Sequence, residues 1–221
     1  CSLNVVFFKR KNSKERVIYR HSDDDCGEVV VVDKGKIRFL KFGNHIKQGG
    51  IDLTNPDSVY LEYQQSMLSV FDAGSFAKCL CLGLGAGSIP KYIHQNKLCE
   101  RLSVVEINPV VIDVAREYFA LPTDVAVIND DALDFVRRTV MTYDLVIVDI
   151  FTKSGTPCEF KTFSFYRSLH ELLRIGGVVV LNTWASDFNK LLLEETLGKI
   201  FDNVQFVKVS TNHIVFCRRF S

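Results

Sequence analysis

From about residue 78 onward, short apolar runs alternate with stretches whose apolar residues recur at helical spacing. Lys78–Leu82, Leu102–Glu106, Val125–Asn129, Tyr143–Asp149 and Val178–Asn182 read as buried strands. Ser88–His94, Pro109–Phe119, Ala132–Arg138, Phe163–Leu173 (ending at Ile175-Gly-Gly177) and Lys190–Ile200 read as the helices between and after them. Proline at the start of the second helix suits its first turn. Strands that are apolar on both faces and joined by crossover helices imply a parallel sheet. Val204–Val209 and His213–Arg218 follow at hairpin spacing and predict a terminal antiparallel pair. The expected class is therefore α/β, with a doubly wound, mostly parallel seven-stranded sheet.

Upstream the pattern changes. Arg16–Tyr19, Glu28–Asp33 and Lys36–Phe42 are short and rich in β-branched or aromatic residues, and Asp33-Lys-Gly-Lys36 is a hairpin turn signal. Residues 1–55 are expected to form a small antiparallel β-hairpin domain, with Asp23-Asp24-Asp25 in a solvated loop. Residues 56–221 are expected to form a nucleoside-binding catalytic domain. Its first helix should begin at Asp57 and carry Tyr60, Tyr63, Met67 and Phe71 inward.

Composition narrows the function classes. Of 221 residues, 47% are hydrophobic and 24% charged, and the net charge of +1 gives no reason to expect nucleic acid or an anionic membrane as partner. No apolar stretch approaches the roughly 20 residues of a membrane span. Seven cysteines, an odd number without paired zinc spacing, suggest free thiols in the cytoplasm. Cys79 and Cys81 alternate within one strand, so both should pack on the same face.

Candidate chemistry gathers where the strands end, since ligands of such sheets bind at the carboxyl ends of the strands. Gly83-Leu-Gly85-Ala-Gly87 lets a ligand approach the backbone at a helix start, and Glu106 ends the next strand, where a carboxylate accepts hydrogen bonds from both ribose hydroxyls. Asp131, after the third strand, suits either an exocyclic amine such as that of adenine or a helix cap, and one residue can serve both. Asp149 ends the most apolar strand, so its charge must be paired or functional. Asn182 ends the strand after it. None of the five histidines falls at a strand end, and no hydrolase or metal-ligand arrangement is evident, so any reacting proton is expected to go to a carboxylate.

Six segments occur in the order found in polyamine aminopropyltransferases. They are Phe42–Gln48, Leu61–Met67, Leu82–Ser88, Val105–Pro109, Asp131-Ala132 and Tyr143–Asp149. From about residue 17 to 218 the chain resembles the spermidine synthase-like branch of the Rossmann-like methyltransferase fold. The resemblance implies decarboxylated S-adenosylmethionine, or S-adenosylmethionine itself, as co-substrate without a metal, a putrescine-like amine as acceptor, and a possible homodimer. It places Gln48 and Gln65 near the donor's thioether end, Gly83, Gly85 and Gly87 in the donor turn, and Glu106 on the ribose. Asp131 and Ala132 would meet the adenine, and Asp149 would be the catalytic carboxylate.

The chain also departs from that family's pattern. Ala86 stands where members carry the aspartate that holds the aminopropyl ammonium, Thr152 replaces a second aspartate after the catalytic strand, and Gln64 and Ser66 replace a tyrosine and a glutamate. The late aromatic segment that gates the polyamine is missing. A methyltransferase on the same scaffold is the first alternative, and a non-catalytic nucleoside-binding or interaction protein the second.

Overall fold

A computed structural model describes residues 14–23, 27–43, 46–152, 155–184 and 189–221. Four antiparallel strands, β1 (Arg16–Asp23), β2 (Gly27–Lys34), β3 (Ile37–Phe42) and β4 (Ile46–Asp52), pair in sequence order. The turn at Gly35, φ 64°, closes β2 onto β3 where the hairpin was expected. Asp24 and Asp25 lie outside the described residues, as does the side chain of Asp23.

The second sheet holds β5 (Phe76–Leu82), β6 (Cys99–Glu106), β7 (Ala126–Asn129), β8 (Tyr143–Val148), β9 (Leu173–Trp184), β10 (Asn203–Val209) and β11 (Asn212–Arg218). Their spatial order is β10-β11-β9-β8-β5-β6-β7, parallel except that β11 runs antiparallel to both β9 and β10. The chain winds outward from β5 to β7, then returns to place β8 on the other side of β5. Strand order reverses there, and the carboxyl ends of β5 and β8 open a crevice.

Alternation along the strands builds two cores. Cys79, Cys81, Ile147 and Val180 face α1 (Glu62–Leu68), α2 (Ser88–Gln95), α3 (Pro109–Phe119) and the inner face of the small sheet. Leu80, Leu82, Val146 and Val148 face α4 (Ala132–Arg138), α5 (Phe163–Leu172) and α6 (Lys190–Gly198). Asn108 accepts hydrogen bonds from the Val110 and Val111 amides and caps α3. Cys79, Cys81, Cys99, Cys158 and Cys217 are free thiols, the first two buried on one face. No helix among the described residues is long and apolar enough to cross a membrane.

Three elements differ from the sequence pattern. The helix expected from Asp57 begins at Glu62, because Asp52–Ser58 is held in turns, with the Ser58 hydroxyl donating to the Asn55 carbonyl. Tyr60 is therefore off the helix, packed edge-on against Phe39, and Phe71 lies in a 3-10 turn. Strand β4 was not anticipated, because Gly49 and Gly50 weaken its apolar pattern. Each glycine is required by a neighbour, since an added Cβ would lie 2.5 Å from the Ala86 Cβ or 2.9 Å from the Phe39 ring. Finally, β9 starts directly after α5, and the irregular register between Tyr143 and Leu145 absorbs Arg174–Gly177, with Gly176 at φ 83°.

Candidate active site

The chain leaves β5 at Leu82 and turns through Gly83–Gly87 into α2. Gly83 has φ 91°, and a Cβ there would sit 2.3 Å from the Asp149 carbonyl oxygen, so both conformation and space demand glycine. The Gly83 amide donates to the Val105 carbonyl and the Asp149 amide to the Leu82 carbonyl, which locks the ends of β5, β6 and β8 together. Gly87, φ 75°, precedes the first residue of α2, and its missing Cβ leaves room for Leu121 3.2 Å away. Its place is a packing one, outside the cavity described next.

Over these strand ends lies a cavity of about 350 Å³ lined by Gly83, Gly85, Glu106, Asp131, Ala132 and Asp149, among others. Glu106 reaches across two turns: Oε2 accepts from the Leu84 amide and Oε1 from the Asn108 amide, each at 3.0 Å. Burial pushes its carboxyl above the ordinary value, against the pull of amides from Asn108, Leu84, Gly85 and Ile107. The carboxylate is thus held by backbone donors from both turns. Asp131 caps α4 through Oδ1, which accepts from the Leu133 and Asp134 amides at 2.7 and 3.2 Å. The cap leaves Oδ2 aside.

Asp149 is bound by side chains rather than by the amides of the following loop. The Tyr63 hydroxyl donates to Oδ2 at 3.2 Å, and the Asn182 amide donates to Oδ1 at 2.7 Å. Burial raises the Asp149 carboxyl above its ordinary value, and hydrogen bonds from Asn182, Tyr63 and Gln64 pull it back in part. The Gln64 Nε2 also donates to the Tyr63 oxygen at 3.3 Å, while its buried Oε1 has no partner. The Tyr63 hydroxyl in turn is held protonated, by burial first and then by the charge of Asp149.

One expected donor contact does not join this group. Gln65 is exposed, and its amide donates to the Val59 carbonyl at 2.7 Å. The buried face of α1 is Gln64, Met67 and Leu68, and residue 65 is turned about 100° from residue 64 on the helix. Gln48 lies in β4, and its side chain is outside the described residues. Sequence patterning assigned Tyr63 to the core and missed its hydroxyl; its place one residue before the departing Gln64 was the available signal.

Two of the departures from the family pattern have a local structural account. Ala86, 2% exposed, packs under the backbone of Gly49, so β4 covers the position where an ammonium-binding carboxylate would stand. Thr152 turns into its own loop, exchanging backbone hydrogen bonds with Gly155 and donating its hydroxyl to the same carbonyl at 2.9 Å. Among the described residues, no group of three or more His, Cys, Asp or Glu side chains is placed to hold a metal ion.

The family model for the spermine/spermidine synthase domain matches residues 49–217, which takes in every site residue above except Gln48. The chain belongs to this family. A polyamine aminopropyltransferase of Chromobacterium violaceum is 31% identical over 180 residues, covering 79% of this chain and 69% of that one. An N-terminal histidine N-methyltransferase of Emericella nidulans is 33% identical over 165 residues, covering 67% of this chain, which spans only 29% of that protein. A probable spermidine synthase from Corynebacterium glutamicum has the same fold, with TM-score 0.74 and 20% identity over 92% of this chain and 78% of that one. Like its relatives in the spermine/spermidine synthase family, the protein is a transferase.

Proposed function

We propose that the chain binds an adenosylsulfonium donor and moves an alkyl group from it to an amine nitrogen. The first assignment is aminopropyl transfer from decarboxylated S-adenosylmethionine to a putrescine-like acceptor. The observation that carries the reading is Asp149, a desolvated carboxylate at the same cavity as Glu106, held in place by Asn182 and Tyr63.

Glu106, which lines the cavity, suits the two ribose hydroxyls, and Asp131 Oδ2 with the Ala132 backbone suits the adenine edge. Gly83 and Gly85 leave the floor clear for close approach. Asp149 then serves the acceptor. An amine attacks carbon only with its lone pair free, so an adjacent base must take its proton. The C–N bond forms as the C–S bond breaks, sulfur keeps the electron pair as a neutral thioether, and the amine's proton goes to Asp149. A raised carboxyl matches a base that must take and later release a proton near neutral pH. The relative from Chromobacterium violaceum, matched over most of its length, supports aminopropyl transfer.

A second reading is methyl transfer from S-adenosylmethionine. Ala86 beneath Gly49 and Thr152 bonded to Gly155 remove two groups that would hold a cationic tail. A neighbouring cavity of about 290 Å³ between β8, β9, α5 and α6 has no carboxylate among its described lining residues. The methyltransferase from Emericella nidulans points the same way.

Calorimetry with methylthioadenosine and S-adenosylhomocysteine, with turnover of each donor and putrescine, separates the readings. Preferential methylthioadenosine binding, with its release from decarboxylated S-adenosylmethionine, is the expected result. Selective S-adenosylhomocysteine binding favours methyl transfer, and binding of neither contradicts both.

A further inference from the structure

The partners of Asp149 have partners of their own. Strands β9 and β11 run antiparallel with Asn212 opposite Trp184 and Ile214 opposite Asn182. Asn212 and Asn182 therefore project from the same sheet face, one diagonal step apart. The Asn212 Nδ2 donates to the Asn182 Oδ1 at 2.9 Å, and the Asn182 Nδ2 donates to Asp149 Oδ1 at 2.7 Å. Asn182 is only 5% exposed, so its amide has little water to fall back on.

The direction of this chain is chemically fixed. An ionised carboxylate only accepts, so Asn182 must present its NH₂ to Asp149 and its carbonyl to Asn212. Asn212 must then donate, and its own oxygen accepts from the Thr211 hydroxyl at 3.4 Å. Asn212 is the first residue of β11, immediately after the two-residue turn Ser210-Thr211, where Ser210 is at φ 53°. A tight turn thus places the last amide of a relay that ends on the buried carboxylate.

We propose that Asn212 is a positioning residue: from the tip of the β10–β11 hairpin it fixes, through Asn182, the orientation of Asp149. Its consequence for turnover rests on the reading of Asp149 as the base, whereas its effect on the Asp149 carboxyl does not. Other groups face that carboxyl too. Tyr63 and Gln64 approach from α1, and the buried Cys81 thiol on β5 is raised partly by the Asp149 charge. From β9 and β11 the relay brings only neutral amides, and His213, next along β11, projects by alternation from the opposite face.

The test compares Asn212→Asp with Asn212→Ala. Aspartate matches asparagine in size but can only accept at neutral pH. Asn182 must then turn its NH₂ toward residue 212 and its oxygen toward Asp149. Alanine removes the constraint without inverting it. The Asp149 carboxyl is read by carbon-13 NMR of Asp-labelled protein, its signal assigned by its loss in Asp149→Asn. In Asn212→Asp its titration should rise by about one pH unit or more, with a smaller rise in Asn212→Ala.

With decarboxylated S-adenosylmethionine and putrescine, kcat should fall roughly tenfold in Asn212→Asp and less in Asn212→Ala. The acid limb of the pH profile should move up, and methylthioadenosine affinity should stay within about twofold. A space-filling role predicts the opposite order, because alanine leaves the larger void. An unmoved Asp149 titration in Asn212→Asp, or alanine as the more damaging change, overturns the proposal. A raised titration in a protein that turns over neither donor upholds the relay and defeats the functional reading instead.

Discussion

Burial makes Asp149 useful and costly at once. Its carboxyl lies above the ordinary value in the folded chain, so the native state keeps the proton to a higher pH than the unfolded one. Between the two values unfolding releases a proton, and stability falls as pH rises through that window. Above the folded value the deficit is fully present. Asp149→Asn removes it, so thermal melts at pH 7 should show a higher midpoint than the parent, while turnover is abolished and donor affinity stays within about tenfold. An equal or lower midpoint would mean that the ionised carboxylate stabilises the fold. Gly83→Ala should fail differently. Its Cβ would press on the Asp149 carbonyl at 2.3 Å from a φ of 91°, so a loss of about 2–4 kcal/mol, read by urea unfolding, is expected alongside lost donor binding.

At the scale of elements, α4 tests whether a helix cap and a ligand contact share one side chain. Asparagine caps as well as aspartate, and alanine does not. Asp131→Asn should leave the melting midpoint nearly unchanged yet weaken nucleoside binding, read by calorimetry. Asp131→Ala should also lose about 1 kcal/mol of stability. On α1, Tyr63→Phe takes one donor from Asp149 and should move the acid limb of activity to higher pH with methylthioadenosine affinity intact; an unmoved limb would make the contact incidental.

The same elements show how far the sequence could be read. Parallel strands and their helices were legible because apolar runs and helical spacing report burial directly; Pro109–Phe119 and Ala132–Arg138 fall where the pattern puts them. Strand β4 was hidden because two of its seven residues are glycines that exist to admit Ala86 and Phe39. Within α1, the resemblance chose Gln65, and the structure turns Gln64 inward, because a helix of seven residues carries too little pattern to fix its facing. The strand-end carboxylates Glu106, Asp131 and Asp149 were legible by position. Asn182 was legible as a strand end too, but its pairings with Asp149 and Asn212, and that of Tyr63 with Asp149, were not, since they exist only once distant strands and α1 are brought together.

For the whole molecule, the reversal of strand order between β5 and β8 decides where chemistry is possible. It opens the crevice, sets Glu106 and Asp131 on one side of the glycine turn and Asp149 on the other, and lets the small antiparallel sheet close over Ala86 through Gly49. On the proposed reading, Glu106, Asp131 and the glycine turn serve the nucleoside, and among the described residues Asp149 and Glu159 are the lining carboxylates left to meet a cationic acceptor. A crystal structure with methylthioadenosine bound tests this arrangement most directly. The account predicts ribose hydroxyls on both oxygens of Glu106, the adenine amine at Asp131 and the thioether directed toward Asp149. A nucleoside seated elsewhere, or Glu106 making no contact with the sugar, would contradict it.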